Sequence, residues 1–187
     1  MEQSRSAPGK SLPPLITITG LKRSGKTAVV EALVSELRSR GHGVGTVKTM
    51  RHHLVSLGAD ATDTRRHAEA GAIVVVALHA DGIVCFAKGA SPAARLEMSH
   101  FFPGTVDIVI PEGLLDPAEA RSVVLCLRDP SELDEALRTR RISRGSIVAI
   151  SGTGASAWRD PAFPAFDVTV PAQRKALADL LLKKVMG

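Results

Sequence analysis

One short stretch of this sequence, residues 20–27, has residue types and a spacing suited to binding a phosphate group. It reads GLKRSGKT: a glycine, four intervening residues, and then Gly-Lys-Thr. Its glycines allow the backbone to wrap an anion, and the N–H groups of a following helix would point at that anion. Lys26 would contact the β- and γ-phosphates, and the Thr27 hydroxyl would bind Mg²⁺. The predicted nucleotide-binding residues are Gly20, Leu21, Lys22, Arg23, Ser24, Gly25, Lys26, Thr27 and Ala28.

A carboxylate suited to a magnesium site ends a later apolar run, VDIVIPEG. Glu112 stands at the carboxyl end of this predicted strand, where ligands of α/β sheets bind. Asp107 stands at the other end, on the order of 15 Å away at about 3.3 Å per residue, so the two cannot share one metal shell. We predict that Glu112 holds magnesium through water or orients the attacking water, and that Asp107 caps the entry of the strand. The alternative for Glu112 is a simple strand-end turn.

The segment KTMRHHLVSLGADATDTRRHAEAGA is rich in charged residues and follows the second predicted strand. It would lie at the carboxyl edge of the sheet, where a switch-like segment could add Asp63 or Asp60 to the magnesium shell and a basic residue to the γ-phosphate. Alternatively, these charges only cover an exposed helix face. No arginine can be singled out as a finger. The catalytic candidates are Lys26, Glu112 and Asp63, and the metal ligands are Thr27, Glu112 and Asp63.

The elements that must position these residues alternate between strands and helices. LITIT predicts a strand ending at Gly20, and residues 25–40 predict a helix. GVGTVK predicts a strand, DATDTRRHAEAGA a short helix, AIVVVALH a third strand and DGIVCFAKG its hairpin partner. A helix around SPAARLEMSHFF, strands in TVDIVIPEG, SVVLCLRD and SIVAIS, and helices in PSELDEALRTR and PAQRKALADLLLKKV complete the order. This order predicts an α/β fold with three layers and a mainly parallel sheet.

Composition and length limit the classes of protein that this chain can belong to. With 187 residues, we predict a disordered lead-in over residues 1–14 and a single domain over residues 15–187. The net charge of +5 suits an anionic partner, but aromatic residues are only 3%, which argues against nucleic-acid binding by stacking. No apolar run is long enough to span a bilayer, so we expect no membrane association.

The two cysteines, Cys85 and Cys126, lie in apolar segments and form no CxxC pair. We predict that both are buried, reduced thiols rather than a disulfide or a zinc site. The polar lead-in also lacks the apolar core of a signal peptide. Both observations predict a cytoplasmic protein.

Several motifs together resemble the MobB family, the nucleotide-binding adapter proteins of molybdopterin-guanine dinucleotide biosynthesis. These motifs are ITITGLKRSGKT, the strand GVGTVK, DTRRHAEAGA with its following apolar strand, DIVIPEG, and the closing strand IVAIS. The family's phosphate loop has a lysine at the position of Lys22. The family run D-T-x-R-x-x-x-A-G-A is matched by Asp63, Thr64, Arg66, Ala70, Gly71 and Ala72.

The resemblance implies a P-loop NTPase fold of the SIMIBI type, GTP binding with Mg²⁺, and weak GTP hydrolysis. It also implies a homodimer and partnership with the enzyme that attaches GMP to molybdopterin, a guanylyltransferase-type protein. The chain departs from the family at Ala28 and Thr49, and at the Leu114-Leu115 pair, all near the presumed substrate or partner surface.

The leading hypothesis is therefore a GTP-binding accessory protein of molybdenum cofactor biosynthesis with weak GTPase activity. A P-loop small-molecule kinase, a metallochaperone GTPase for another metalloenzyme, and a simple anion-binding module remain alternatives. The preference for guanine follows from the resemblance alone, because no Asn-Lys-x-Asp or Thr-Lys-x-Asp string is present. Residues 151–155 occupy the position of a base-reading loop in such a sheet.

Overall fold

The structure, a computed structural model, describes residues 13–49, 61–79, 82–87, 105–113 and 122–186. The strands are β1 (Thr17–Gly20), β2 (Val44–Thr49), β3 (Val74–His79), β4 (Gly82–Ala87), β5 (Ile108–Glu112), β6 (Val123–Cys126) and β7 (Ile147–Ser151). The helices are α1 (Lys26–Ser39), α2 (Ala61–Glu69), α3 (Leu133–Arg140) and α4 (Pro171–Met186). Among these residues, no helix has both the length and the apolar character needed to cross a bilayer.

The seven strands form one sheet in the order β4-β3-β2-β5-β1-β6-β7. Six strands are parallel, and only the edge strand β4 runs antiparallel, to β3. The predicted order of strands and helices and the predicted hairpin are confirmed in the described residues. The helix predicted around residues 91–102 lies outside them.

Apolar side chains alternate between the two faces of the sheet, which gives three layers. On one face, Ile16 and Ile18 pack with Leu33 of α1 and Leu177 of α4. A separate cluster on the other side of the sheet joins Leu125 of β6, Ile150 of β7, and Leu133 and Ala136 of α3. The fully buried β-branched and aliphatic residues of β1, β5 and β6 explain why helices must cover both faces.

The strand register brings the phosphate loop and the predicted magnesium carboxylate to one edge of the sheet. β1 lies between β5 and β6, with Ile18 paired to Glu112 and Gly20 paired to Cys126. On the other side of β5, Lys48 of β2 also pairs with Glu112. The loop after β1 therefore starts beside the end of β5.

Asp107 caps the opposite end of β5, as predicted. Its Oδ2 accepts a hydrogen bond from the backbone N–H of Gly43 at 2.7 Å. This contact holds the start of β5 against the start of β2 and keeps Asp107 away from the phosphate loop.

One prediction about the cysteines is confirmed and one is wrong. Cys126 is buried under the phosphate loop, and burial raises the pKa of its thiol to about 12, so it stays neutral. Cys85 is exposed, because β4 is the edge strand and an apolar sequence does not distinguish an edge strand from a central one. Neither cysteine forms a disulfide.

Further predictions fall on residues that the structure does not describe. These concern most of the disordered lead-in and the place of Asp60 in the switch-like segment. The limits of the single domain, residues 15–187, also stay a prediction.

Candidate functional site

The phosphate loop between β1 and α1 needs its glycines for steric reasons. Gly20 has φ +153°, and a Cβ there would lie 2.1 Å from the carbonyl oxygen of Cys126. Gly25, with φ +86°, precedes the first residue of α1. Arg23, at the tip of the loop, also has a positive φ of 64°, which is uncommon for a residue with a side chain. The backbone thus follows the curved path that a bound anion requires.

Hydrogen bonds inside the loop hold two of the predicted binding residues. Ser24 Oγ donates to the carbonyl oxygen of Leu21 at 2.9 Å, and Lys26 Nζ donates to the same oxygen at 2.6 Å. Lys26 is therefore directed back across the loop. Burial lowers the pKa of the Lys26 ammonium, since the surrounding charges only partly replace water. An anionic ligand would supply the missing negative charge.

Gly152 and Thr153 pack against the phosphate loop at the carbonyl oxygen of Ser24. Thr153 N donates to the carbonyl oxygen of Ser24 at 3.3 Å. A Cβ at Gly152, whose φ is +92°, would lie 2.3 Å from that same oxygen. The segment predicted to read the base thus contacts the phosphate loop, and its role in base recognition stays a prediction.

Glu112 is the centre of a buried polar cluster at the start of α1. The Thr27 hydroxyl lies 3.1 Å from Glu112 Oε1 and 3.2 Å from Oε2. Lys48 Nζ forms an ion pair with Oε1, and His67 Nε2 lies 3.1 Å from Oε2. Three different elements, α1, β2 and α2, therefore meet at one carboxylate.

The Glu112 carboxylate is kept ionised by its partners. Burial alone would raise its pKa, but the hydrogen bond from His67 and the charge and hydrogen bond of Lys48 lower it to about 2. A carboxylate accepts but does not donate hydrogen bonds, so His67 must carry a proton on Nε2. An ionised carboxylate beside a hydroxyl is the oxygen-rich arrangement that Mg²⁺ prefers.

His67 is a site residue that the sequence analysis missed. Its side chain is 0% exposed. Its Nδ1 has no hydrogen-bond partner among the described residues. One signal could have identified it: α2 has only alanines as apolar residues, so its inward face had to include a polar side chain.

An open cavity of about 540 Å³ adjoins the loop and the Glu112 cluster. Glu112 is the only acidic residue among those that line it, whereas five are basic. The basic residues are Lys22, Arg23, Lys26, Lys48 and Arg66. The cavity therefore favours a polyanion.

The predicted site residues can be compared with this arrangement. The structure brings together Lys26, Thr27 and Glu112 at the cavity, and Lys22, Arg23, Gly25 and Ala28 also line it. Asp63 falls in α2, and its assignment as a magnesium ligand and catalytic residue stays a prediction. In the described part of the chain, no group of three or more His, Cys, Asp or Glu residues could hold a metal on its own. A metal at this site would need ligand oxygens from a nucleotide and from Thr27.

Comparisons with known proteins match this chain to one family. A sequence model described as Molybdopterin guanine dinucleotide synthesis protein B, MobB, matches residues 15–152. A curated relative from Haemophilus influenzae, the molybdopterin-guanine dinucleotide biosynthesis adapter protein, is 31% identical over 101 residues. That match covers 54% of this chain and 56% of the relative.

A solved structure supports the fold. The crystal structure of Bacillus subtilis MobB is similar with a TM-score of 0.51 at 22% sequence identity. The likeness covers 90% of this chain and 98% of that chain. The fold-class prediction, a three-layer P-loop NTPase domain with a mainly parallel sheet, is confirmed.

Proposed function

The chain belongs to the MobB family of molybdopterin guanine dinucleotide synthesis proteins, and from this premise we propose that it is a magnesium-dependent GTP-binding accessory protein. It acts in molybdopterin guanine dinucleotide biosynthesis and has weak GTPase activity. The observation that carries this proposal is the contact between Thr27 and Glu112 at the rim of a basic cavity. A hydroxyl and an ionised carboxylate beside a phosphate loop are what a magnesium-bound triphosphate requires.

Each residue of the site has a role in this proposal. Lys26 and Lys22 bind the phosphates, and the backbone N–H groups of the loop hold the β-phosphate. Thr27 and Glu112 would hold Mg²⁺, with Asp63 as a further candidate ligand. When bound, the ion would neutralise charge on the terminal phosphates. Lys48 and His67 keep Glu112 ionised and fix its orientation.

Hydrolysis is expected to be slow. Most of the rate enhancement in phosphoryl transfer comes from electrostatic stabilisation of the transferring group and from positioning of the nucleophile. The described residues supply positive charge from Lys26 but only one carboxylate at the cavity, and that carboxylate is already engaged by three side chains. This arrangement suits a nucleotide-dependent adapter better than a fast hydrolase.

The remaining parts of the proposal concern the base and the partners. Residues 151–155 contact the phosphate loop and are proposed to read guanine. The chain is proposed to act as a cytoplasmic homodimer that engages a guanylyltransferase-type protein of the same pathway. Sedimentation of the purified protein tests the homodimer, and co-purification with that enzyme tests the partnership.

The proposal is tested by titrating the purified protein with non-hydrolysable GTP and ATP analogues, with and without Mg²⁺. The variant Lys26→Ala should remove binding, and Lys183→Ala, an exposed lysine in the last turn of α4, should not change it. Magnesium-dependent binding of the GTP analogue supports the proposal, and binding of neither nucleotide overturns it. A preference for ATP with phosphate transfer to a small acceptor would favour the kinase alternative.

A further inference from the structure

Two neighbouring residues of α2 bind two different carboxylates. His67 contacts the buried Glu112, whereas Arg66 contacts Glu31 on α1. Arg66 Nη2 donates to Glu31 Oε2 at 3.0 Å, and Arg66 Nε lies 2.5 Å from Oε1. The Arg66 side chain is 48% exposed and that of Glu31 is 26% exposed, so this ion pair is in contact with solvent.

The pair of Arg66 and Glu31 stands at the boundary between two cavities. Arg66 lines the basic cavity together with Lys26 and Thr27. Arg66 and Glu31 also line a second cavity of about 490 Å³, between α1, α2 and residues 168–169. The position of the Arg66 guanidinium therefore changes the lining of both cavities.

A short movement separates the Glu31 carboxylate from the nucleotide site. Glu31 is one turn beyond Thr27 on α1, a rise of about 6 Å along the helix axis. His67 anchors α2 at Glu112, so the backbone beside Arg66 is held next to the phosphate loop. Arg66 lines the cavity of Lys26 and Thr27 even while it contacts Glu31, so an exchange of partners needs a movement of its side chain within that cavity.

The chemistry of the two possible partners favours such an exchange. A guanidinium presents a planar fork of donors that matches a carboxylate and a phosphate equally well. The Arg66 side chain is half exposed, so water screens its ion pair with Glu31 and reduces the free energy lost when the two separate. A terminal phosphate carries more negative charge than one carboxylate.

From these relationships we infer that Arg66 exchanges Glu31 for the terminal phosphate of a bound nucleoside triphosphate. Arg66 is the residue that distinguishes a triphosphate from a diphosphate, and Glu31 is its competitor in the absence of that phosphate. This inference rests on the proposed nucleotide binding of the same site. The sequence analysis predicted a basic residue of this segment at the γ-phosphate, and this inference identifies that residue as Arg66.

The test compares affinities for a non-hydrolysable GTP analogue and for GDP, both with Mg²⁺, in the full chain. Arg66→Gln should weaken binding of the triphosphate analogue by about tenfold and change GDP binding by less than about twofold, because a charged hydrogen bond to phosphate is lost. Glu31→Gln should strengthen triphosphate binding by about threefold, since the competing charge is removed. Arg66→Lys, which keeps the charge but not the fork, should fall between wild type and Arg66→Gln.

Arg65→Gln is the matched control. Arg65 is the preceding residue of the same helix, pairs with Glu69 at 2.7 Å and lines neither cavity. The Arg65→Gln variant should leave the affinities for the triphosphate analogue and for GDP unchanged. Thermal unfolding of each variant, with an unchanged midpoint expected, separates a loss of binding from a loss of folding.

The outcomes separate this inference from the proposed function. If wild-type protein binds both nucleotides and Arg66→Gln keeps the wild-type ratio of affinities, the inference is overturned and the proposed function stands. If wild-type protein binds neither nucleotide, both are overturned. Selective loss of triphosphate binding in Arg66→Gln, together with tighter binding in Glu31→Gln, supports the inference.

Discussion

The Thr27 hydroxyl lies 3.1 Å and 3.2 Å from the two carboxylate oxygens of Glu112, although the two residues are 85 positions apart in the chain. Thr27 lies in the first turn of α1, and Glu112 ends β5. The contact joins the phosphate loop to the neighbouring strand at the edge of the sheet where a nucleotide would bind.

The first prediction concerns the metal dependence of nucleotide binding. Glu112→Gln removes the negative charge but keeps a similar shape, so the enhancement of GTP-analogue affinity by Mg²⁺ should fall by at least about tenfold. Isothermal titration with and without Mg²⁺ measures this effect. Glu132→Gln, which alters a carboxylate paired with Arg128 away from the cavity, is the control. An unchanged magnesium effect in Glu112→Gln would contradict the assignment of Glu112.

The second prediction concerns stability at acid pH. The pKa of Glu112 is about 2 in the folded protein against an ordinary value of 4.5, so the carboxylate binds protons more readily in the unfolded chain. Its contribution to stability is therefore complete above pH 4.5 and is lost as the pH falls towards 2. Between pH 5 and pH 3 the loss should be about 2 kcal/mol.

This loss is measured as a difference between two proteins. Urea unfolding of wild type and Glu112→Gln at several pH values should give free energies of unfolding that approach each other as the pH falls. Other carboxylates contribute to both proteins and cancel in the difference. A difference in free energy of unfolding that stays constant from pH 5 to pH 3 would contradict the prediction.

The third prediction concerns the buried histidine. His67→Leu removes the donor to Glu112 Oε2, whereas His67→Gln can place an amide N–H near the position of Nε2. His67→Leu should therefore be less stable than His67→Gln by about 1–3 kcal/mol, because it leaves a buried charge short of one donor. Urea unfolding at pH 7 measures the difference. Equal stability of the two variants would mean that the hydrogen bond contributes nothing.

The fourth prediction concerns the glycine that starts the phosphate loop. Gly20→Ala would place a Cβ 2.1 Å from the Cys126 carbonyl oxygen, so the backbone of β1 or β6 must move. We expect a loss of at least about 3 kcal/mol in stability and loss of nucleotide binding. Gly41→Ala, which also has a positive φ but no atom within 4 Å of the added Cβ, should cost only about 1–2 kcal/mol. Comparable losses in both variants would contradict the steric argument.

The sequence predicted the frame of the site because its signals are local. The apolar strand before Gly20, the Gly-Lys-Thr run and the strand ending at Glu112 each carry their own pattern. The carboxyl ends of parallel strands meet at one edge, so local patterns were enough to bring Thr27 and Glu112 together.

The partners of Glu112 could not be predicted in the same way. His67 is 45 positions from Glu112, and the run RRHAEA around it is typical of an exposed helix face. Which side of α2 faces the sheet depends on how the helix packs, and a helix with few apolar residues gives a weak signal for this. The exposure of Cys85 has a similar cause, because only strand order identifies β4 as an edge.

The contacts of Glu112 also bear on how the chain length of this protein can vary. Lys48 and His67 both bind the same carboxylate, so the chain between them starts and ends at one point. The entropy lost by closing such a ring grows only with the logarithm of its length, by about 0.6 kcal/mol for each doubling. The free energy that holds Lys48 and His67 together therefore depends only weakly on how many residues separate β2 from α2. By contacting both residues, Glu112 fixes the end of β2 and the last turn of α2 at one point beside the phosphate loop.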